Sequence, residues 1–169
     1  MSSIYRVDRI AVAQIEPAYL LVTRIAPALS LEQWSADCRE AIGRRDRRTE
    51  DDDVAVAINP LGYVQGLCIS AVRPHFVYGR MLDVSVLAAT SAADEAGVVH
   101  DLLRYLRTLA VTEACAGIRL WTLGQDDWIS DFDHPEVDCF RHGALILRER
   151  RSSPDAVCAF YGAALPVKT

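Results

Sequence analysis

The chain has 169 residues, 51% of them hydrophobic, which suits one globular domain spanning 1–169 and excludes a disordered polypeptide. A formal net charge of −5 argues against a phosphate backbone as the main partner, so no nucleic acid is expected. Five scattered cysteines without Cys-x-x-Cys spacing argue against a disulfide framework, and Glu16, Pro17, Arg24 and Pro27 break the first apolar stretch, so a cytoplasmic protein with no membrane span is expected.

Ile10 to Ile15 is a short apolar run that predicts a strand, and Glu16-Pro17 opens a helical pattern with Leu20, Leu21, Ile25 and Leu29 on one face. Ser30 and Gln33 match a capping box, and the helix they start carries Leu31, Trp34, Cys38, Ala41 and Ile42 as far as Gly43. The polar stretch from Gly43 to Asp53 sets four arginines against Glu50, Asp51, Asp52 and Asp53, the composition of a solvated loop with local ion pairs.

Val54, Val56 and Ile58, the turn Asn59-Pro60-Leu61-Gly62 and the extended run Tyr63 to Val72 predict a hairpin. A connection from Arg73 to Arg80 then leads to a strand from Met81 to Ala89. After Ser91 to Gly97 a long amphipathic helix begins, its stripe formed by Val99, Leu102, Leu103, Leu106 and Ala110, with Asp101, Arg104 and Arg107 pointing elsewhere. Gly117 is a candidate left-handed helix end, and Ile118 to Thr122 reads as a strand. The strand, helix and strand make a βαβ crossover. Its helix N-terminus lies at the carboxyl end of the first strand, where free N–H groups and the helix dipole favour an anion. Gly124 to His142 is polar with a short helix, and Ala144 to Arg150 and Ala156 to Tyr161 form a last strand pair.

This order resembles that of the GNAT superfamily of N-acetyltransferases over nearly the whole chain. Leu82 to Trp121 carries the resemblance, with Asp83-Val84-Ser85-Val86-Leu87-Ala88-Ala89 in the register of the family's central strand and Leu102-Leu103 anchoring its cofactor loop at Asp94 to Val99. The resemblance implies an α/β (α+β) fold, a mixed and mostly antiparallel sheet of about seven strands with a central βαβ crossover and helices on both faces. It implies acetyl-CoA or another acyl-CoA as cofactor, held by backbone groups at Leu87, Ala89, Asp94, Ala96, Gly97, Val98 and Val99, and transfer of the acyl group to a small-molecule or peptide amine. Asp94 stands where the family has Arg or Gln, and Val99 where it has a small residue, so two features of the loop differ.

By the same resemblance Asp83 maps to the general base and Cys139 to the position of the general acid, with His142 and Tyr161 as substitutes for the latter. Each has a plainer reading: Asp83 as a hydrogen-bonded strand residue, Cys139 as a small core filler. His100 reads as a polar helix-start residue. Asp131, Asp133, His134, Glu136 and Asp138 crowd together, but match no metal loop, so no metal is expected. The competing function is a domain of the same fold without chemistry, acting as a binding module or pairing through its final strands as a homodimer.

Overall fold

The structure, a computed structural model, describes residues 4–44, 52–90, 94–121, 137–141 and 144–148, the last two segments by their backbone. The strands are β1 (Arg6–Arg9), β2 (Asp53–Ile58), β3 (Val64–His75), β4 (Gly79–Ala89), β5 (Gly117–Trp121), β6 (Val137–Arg141) and β7 (Ala144–Arg148). They lie in one sheet in the order β1-β2-β3-β4-β5-β7-β6. Every described pairing is antiparallel except β4 with β5, the two strands joined through helix α3 (Glu95–Thr112). Helices α1 (Ile15–Ile25) and α2 (Leu31–Arg44) precede β2.

Alternation along the strands sorts the side chains between two layers. Ala55, Ala57, Cys68, Leu82, Val84, Ile118 and Leu120 pack under α3 with Val98, Val99, Leu102 and Leu106. Val54, Val56, Ile58 and Leu67 pack with Ile15, Ala18, Leu21, Trp34 and Cys38 of α1 and α2. Each fully buried Leu or Ile in these layers contributes roughly 1.5–3 kcal/mol of burial free energy. The α3 layer closes tightly over Gly66, where an added Cβ would lie 2.5 Å from Val98 Cγ1 and 3.0 Å from both Leu102 Cδ1 and the Ala88 carbonyl oxygen.

Strand β4 carries a bulge. Ile69 pairs with Val86 but Ser70 with Val84, so Ser85 is the extra residue. The bulge breaks the two-residue alternation, so Val84 and Leu87 both face the α3 layer although three positions separate them, while Val86 and Ala88 face α1 and α2.

Several local expectations are corrected. The first strand is not Ile10 to Ile15 but the charged run Arg6–Arg9, an edge strand bonded only to β2 among the described residues. Ile10 and Ile15 are core residues flanking a 3-10 turn at Val12–Gln14, in which the Ala11 N–H donates to the Gln14 side chain at 2.8 Å. In α1 the buried face is Ile15, Ala18, Leu21 and Val22, while Leu20 is exposed and Leu29 lies beyond the helix. Ser30 caps α2 as expected, accepting from the Gln33 N–H at 3.1 Å. The connection expected from Arg73 to Arg80 is mostly strand, with the turn confined to Phe76–Tyr78.

Asp101 does not point away from the sheet. It is buried, accepts the Tyr5 N–H at 3.1 Å and pairs with Arg104, tying α3 to the start of β1. The left-handed residue after α3 is Ala114 at φ 53, not Gly117, which opens β5. Cys115 N–H bonds the Ala110 carbonyl at 2.8 Å and Ala114 N–H bonds Val111 at 3.0 Å, the paired bonds of a Schellman end. Within the stretch read as polar with a short helix, Val137–Arg141 is a strand, and β7 pairs with it and with β5. The partner expected for it, Ala156 to Tyr161, lies outside the described residues, as does the loop from Arg45 to Asp51.

Candidate functional site

The parallel pairing of β4 and β5 covers only Leu82 with Ile118, Asp83 with Arg119 and Val84 with Leu120. Past Val84 the bulge at Ser85 redirects β4, which runs on to Ala89 with no strand on that side among the described residues. Among the described residues this leaves a fork, paired at its apex and with the β4 edge past Val84 unpaired on the β5 side. The Thr90 N–H donates to the Gln65 carbonyl at 2.8 Å, and the alternation of antiparallel bonding then turns Ala88 and Val86 towards β3 and turns the N–H and C=O of Leu87 and Ala89 into the fork. Leu87 and Ala89, expected as backbone contacts, are thus placed along an open strand edge.

At the carboxyl end of β4 lies the start of α3. Asp94 is its N-cap, with Oδ1 accepting the Gly97 N–H at 3.0 Å while its carbonyl takes the Val98 N–H at 3.3 Å. A Cβ on Gly97 would lie 2.6 Å from both Cγ and Oδ1 of Asp94, so glycine at this position makes room for the chain's own carboxylate. Val98 and Val99 are buried under the sheet. The side chain of Val99, where the resemblance has a small residue, faces the core. Ala96, in the first turn, and His100, in the second, are exposed.

A diphosphate fits this end poorly, because one of its backbone donors is already satisfied and a carboxylate stands against it. The amide-bearing arm of an acyl thioester fits the fork, whose edge presents alternate N–H and C=O groups as a ladder partner would.

At the fork's apex Asp83 holds three donors. Arg119 Nε reaches Oδ1 at 2.8 Å, the terminal guanidinium nitrogen NH2 reaches Oδ2 at 2.7 Å, and Trp121 Nε1 reaches Oδ1 at 2.8 Å. Burial alone would raise the carboxyl pKa, but the bonds from Arg119 and Trp121 and the charges of Arg119 and Arg73 outweigh it and hold it below the usual range. The Arg119 guanidinium also lies 5.0 Å from the Trp121 ring centroid, and that indole is 47% exposed. Arg119 and Trp121 were not singled out as site residues from sequence. Their alternation with Ile118 and Leu120 puts them on the same face as Asp83, but only the parallel register shows which strand residue they meet.

Cys139 lies in β6, opposite Ile146, and not in a helix. Two strand spacings separate β6 from β5, roughly 10 Å. His142, Tyr161 and the acidic stretch from Asp131 to Glu136 lie outside the described residues, and no metal-binding cluster occurs among the described ones. No helix among them is long and apolar enough to cross a membrane.

No protein-family model and no curated protein sequence matches the chain. Solved structures do. An acetyltransferase from Trypanosoma brucei shares 16% identity at a TM-score of 0.58, covering 90% of this chain and 99% of its own. The glucosamine-6-phosphate N-acetyltransferase of Arabidopsis thaliana shares 9% at 0.60, covering 82% and 97%. The aminoglycoside N-acetyltransferase AAC(6')-Iy, solved in complex with CoA, shares 15% at 0.61, covering 84% and 96%. At such identities the likeness is one of fold, and it agrees with the layered sheet and crossover described above.

Proposed function

We propose, for a chain that folds as the GNAT N-acetyltransferases do, that it transfers an acyl group from a pantetheine thioester such as acetyl-CoA to an amine. The observation that carries this reading is the fork. It offers the backbone groups of Leu87 and Ala89 to the amides of the donor's arm, directing the thioester towards the apex at Val84 and Ser85.

The acceptor enters as an ammonium and must lose a proton before its nitrogen has a free electron pair. That nitrogen attacks the thioester carbonyl carbon, the C–N bond forms, the C–S bond breaks, and the departing thiolate takes up a proton. Asp83 is a poor acceptor for the ammonium proton, since three donors occupy its oxygens and its pKa is held low. We assign it a positioning role: it holds Arg119 and Trp121 at the apex, where the half-exposed indole forms a wall for the acceptor. Water carries the proton away, and the rate follows the amine's own deprotonation. Two strand spacings from β5, Cys139 is assigned no proton in this scheme.

Steady-state release of thiol from acetyl-CoA, measured across a panel of primary amines with mass detection of the acetylated product, tests the reading. Amine-dependent release supports it, and absence of release with every amine overturns it.

One observation favours a second reading, a binding module without turnover: the Asp94 carboxylate standing where a donor's diphosphate would approach α3. In that case millimolar acetyl-CoA and desulfo-CoA produce no calorimetric signal, and pull-down replaces the amine panel as the route to a partner.

A further inference from the structure

We infer that Asp94 is a built-in occupant of the anion seat of α3, and that the chain therefore selects its acyl donor by the thioester arm and not by the diphosphate and nucleotide. The inference rests on the acyl-transfer reading above and narrows its donor class to the acylated pantetheine arm.

Two separate features of the structure support it. The first is the seat itself. The Asp94 carboxylate bonds the Gly97 N–H at 3.0 Å and fills the space a side chain at 97 would take. Val98 N–H is engaged by the Asp94 carbonyl, and Glu95 adds a second acidic residue in the first turn. A diphosphate must displace a tethered carboxylate that is always present at high effective concentration, or lie against it as a like charge. The second feature is the fork, which lies outside that seat along Leu87 to Ala89. An acylated pantetheine arm is uncharged. Its amides meet the strand edge without approaching Asp94, so the carboxylate leaves its binding unchanged.

The consequence is a donor preference. An acyl-pantetheine lacking the diphosphate and nucleotide should bind almost as well as the corresponding acyl-CoA.

Calorimetry on the full chain with acetyl-CoA and acetyl-pantetheine, repeated on Asp94→Ser, tests this. Serine keeps an oxygen acceptor for the Gly97 N–H while removing the charge, so the cap survives. Asp94→Asn serves equally if the serine variant fails to fold, as judged by circular dichroism. The expected result is that the two donors differ by less than about fivefold in Kd with the native chain, and that either variant binds acetyl-CoA about tenfold more tightly with acetyl-pantetheine unchanged. The inference is overturned, with acyl transfer still standing, if the native chain binds acetyl-CoA about a hundredfold more tightly than acetyl-pantetheine and removing the charge changes neither value. If neither donor binds the native chain or the variants at millimolar concentration, the acyl-donor reading itself falls.

Discussion

Asp83 and Arg119 are register partners in the parallel pairing of β4 and β5, and their side chains close a two-bond bridge of 2.8 and 2.7 Å directly above it. The bridge fastens the two strands one pair before their described pairing ends. Asp83→Asn keeps the shape but leaves the guanidinium with a neutral partner at a mostly covered site, and should cost about 1–3 kcal/mol in urea denaturation. If Asp83 positions and does not accept the ammonium proton, this variant also lowers kcat while the acid limb of the pH profile keeps its midpoint. A midpoint displaced by the substitution would instead make the carboxylate the base.

The same pair sets an acid dependence of stability. The folded carboxyl titrates below its unfolded value of about 3.9. Its contribution is therefore fully present above that value and is lost as pH falls through the lower, folded one. Denaturation curves of native and Asp83→Asn chains should differ most near neutrality and draw together as the pH falls through the lowered folded value. A difference that stays undiminished throughout acidification would contradict the bridge.

Gly97 and Asp94 should be coupled. Alanine at 97 favours a helix by about 1 kcal/mol, but here its Cβ would strike the Asp94 carboxylate and expel the cap, which is worth about as much. Gly97→Ala should thus be close to neutral alone and stabilising by about 1 kcal/mol once Asp94 is alanine. A double-mutant cycle by thermal melting reads the interaction, and additivity would show that the two residues do not meet.

Ala114 adopts φ 53 at the end of α3, a region that costs an L-residue about 1 kcal/mol or more. Ala114→Gly should raise the stability by about 0.5–1 kcal/mol, measured by the denaturation midpoint at constant m value. By contrast, Gly66→Ala, with Val98 only 2.5 Å away, should lower it by about 1–3 kcal/mol.

The thiol of Cys68 is fully buried, and burial, reinforced by the charge of Asp53, pushes its pKa up to about 12. Cys38 and Cys115 are buried as well. All three should resist a maleimide at about pH 8 until the chain unfolds. Peptide mapping after brief native labelling would reveal any modification at these positions: at Cys68 or Cys115 it would contradict the packing of the α3 layer, and at Cys38 that of the α1 and α2 layer.

The layered fold was largely legible in the sequence because its helices are amphipathic with clear starts. The stripe from Val99 to Ala110 and the Ser30 cap appear where expected. The errors have physical sources. Arg6–Arg9 is charged because it is an edge strand, and the pattern rules favour strands with an apolar face. Ala114 takes a conformation that composition assigns to glycine. At the site, Asp83, Leu87 and Ala89 could be named from a resemblance, but the bridge to Arg119 depends on a register between strands separated by a whole helix. The cap by Asp94 carries a visible signal, an aspartate at the start of a helical pattern, whose side chain suits the N-cap position.

The extra residue in β4 also bears on how the chain tolerates insertion and deletion. Ser85 is what allows Val84 and Leu87 to share a layer across three positions. Deleting it would restore strict alternation and leave Val84, Leu87 and Ala89 on the side of α3 and Val86 and Ala88 on the side of α1 and α2, but it would remove the bend that redirects β4 past Val84, and with it the fork. A distant relative that lacks a residue here would therefore keep both packed layers and lose only the bend, so gap placement at this single position separates chains that keep the cleft from those that keep only the scaffold.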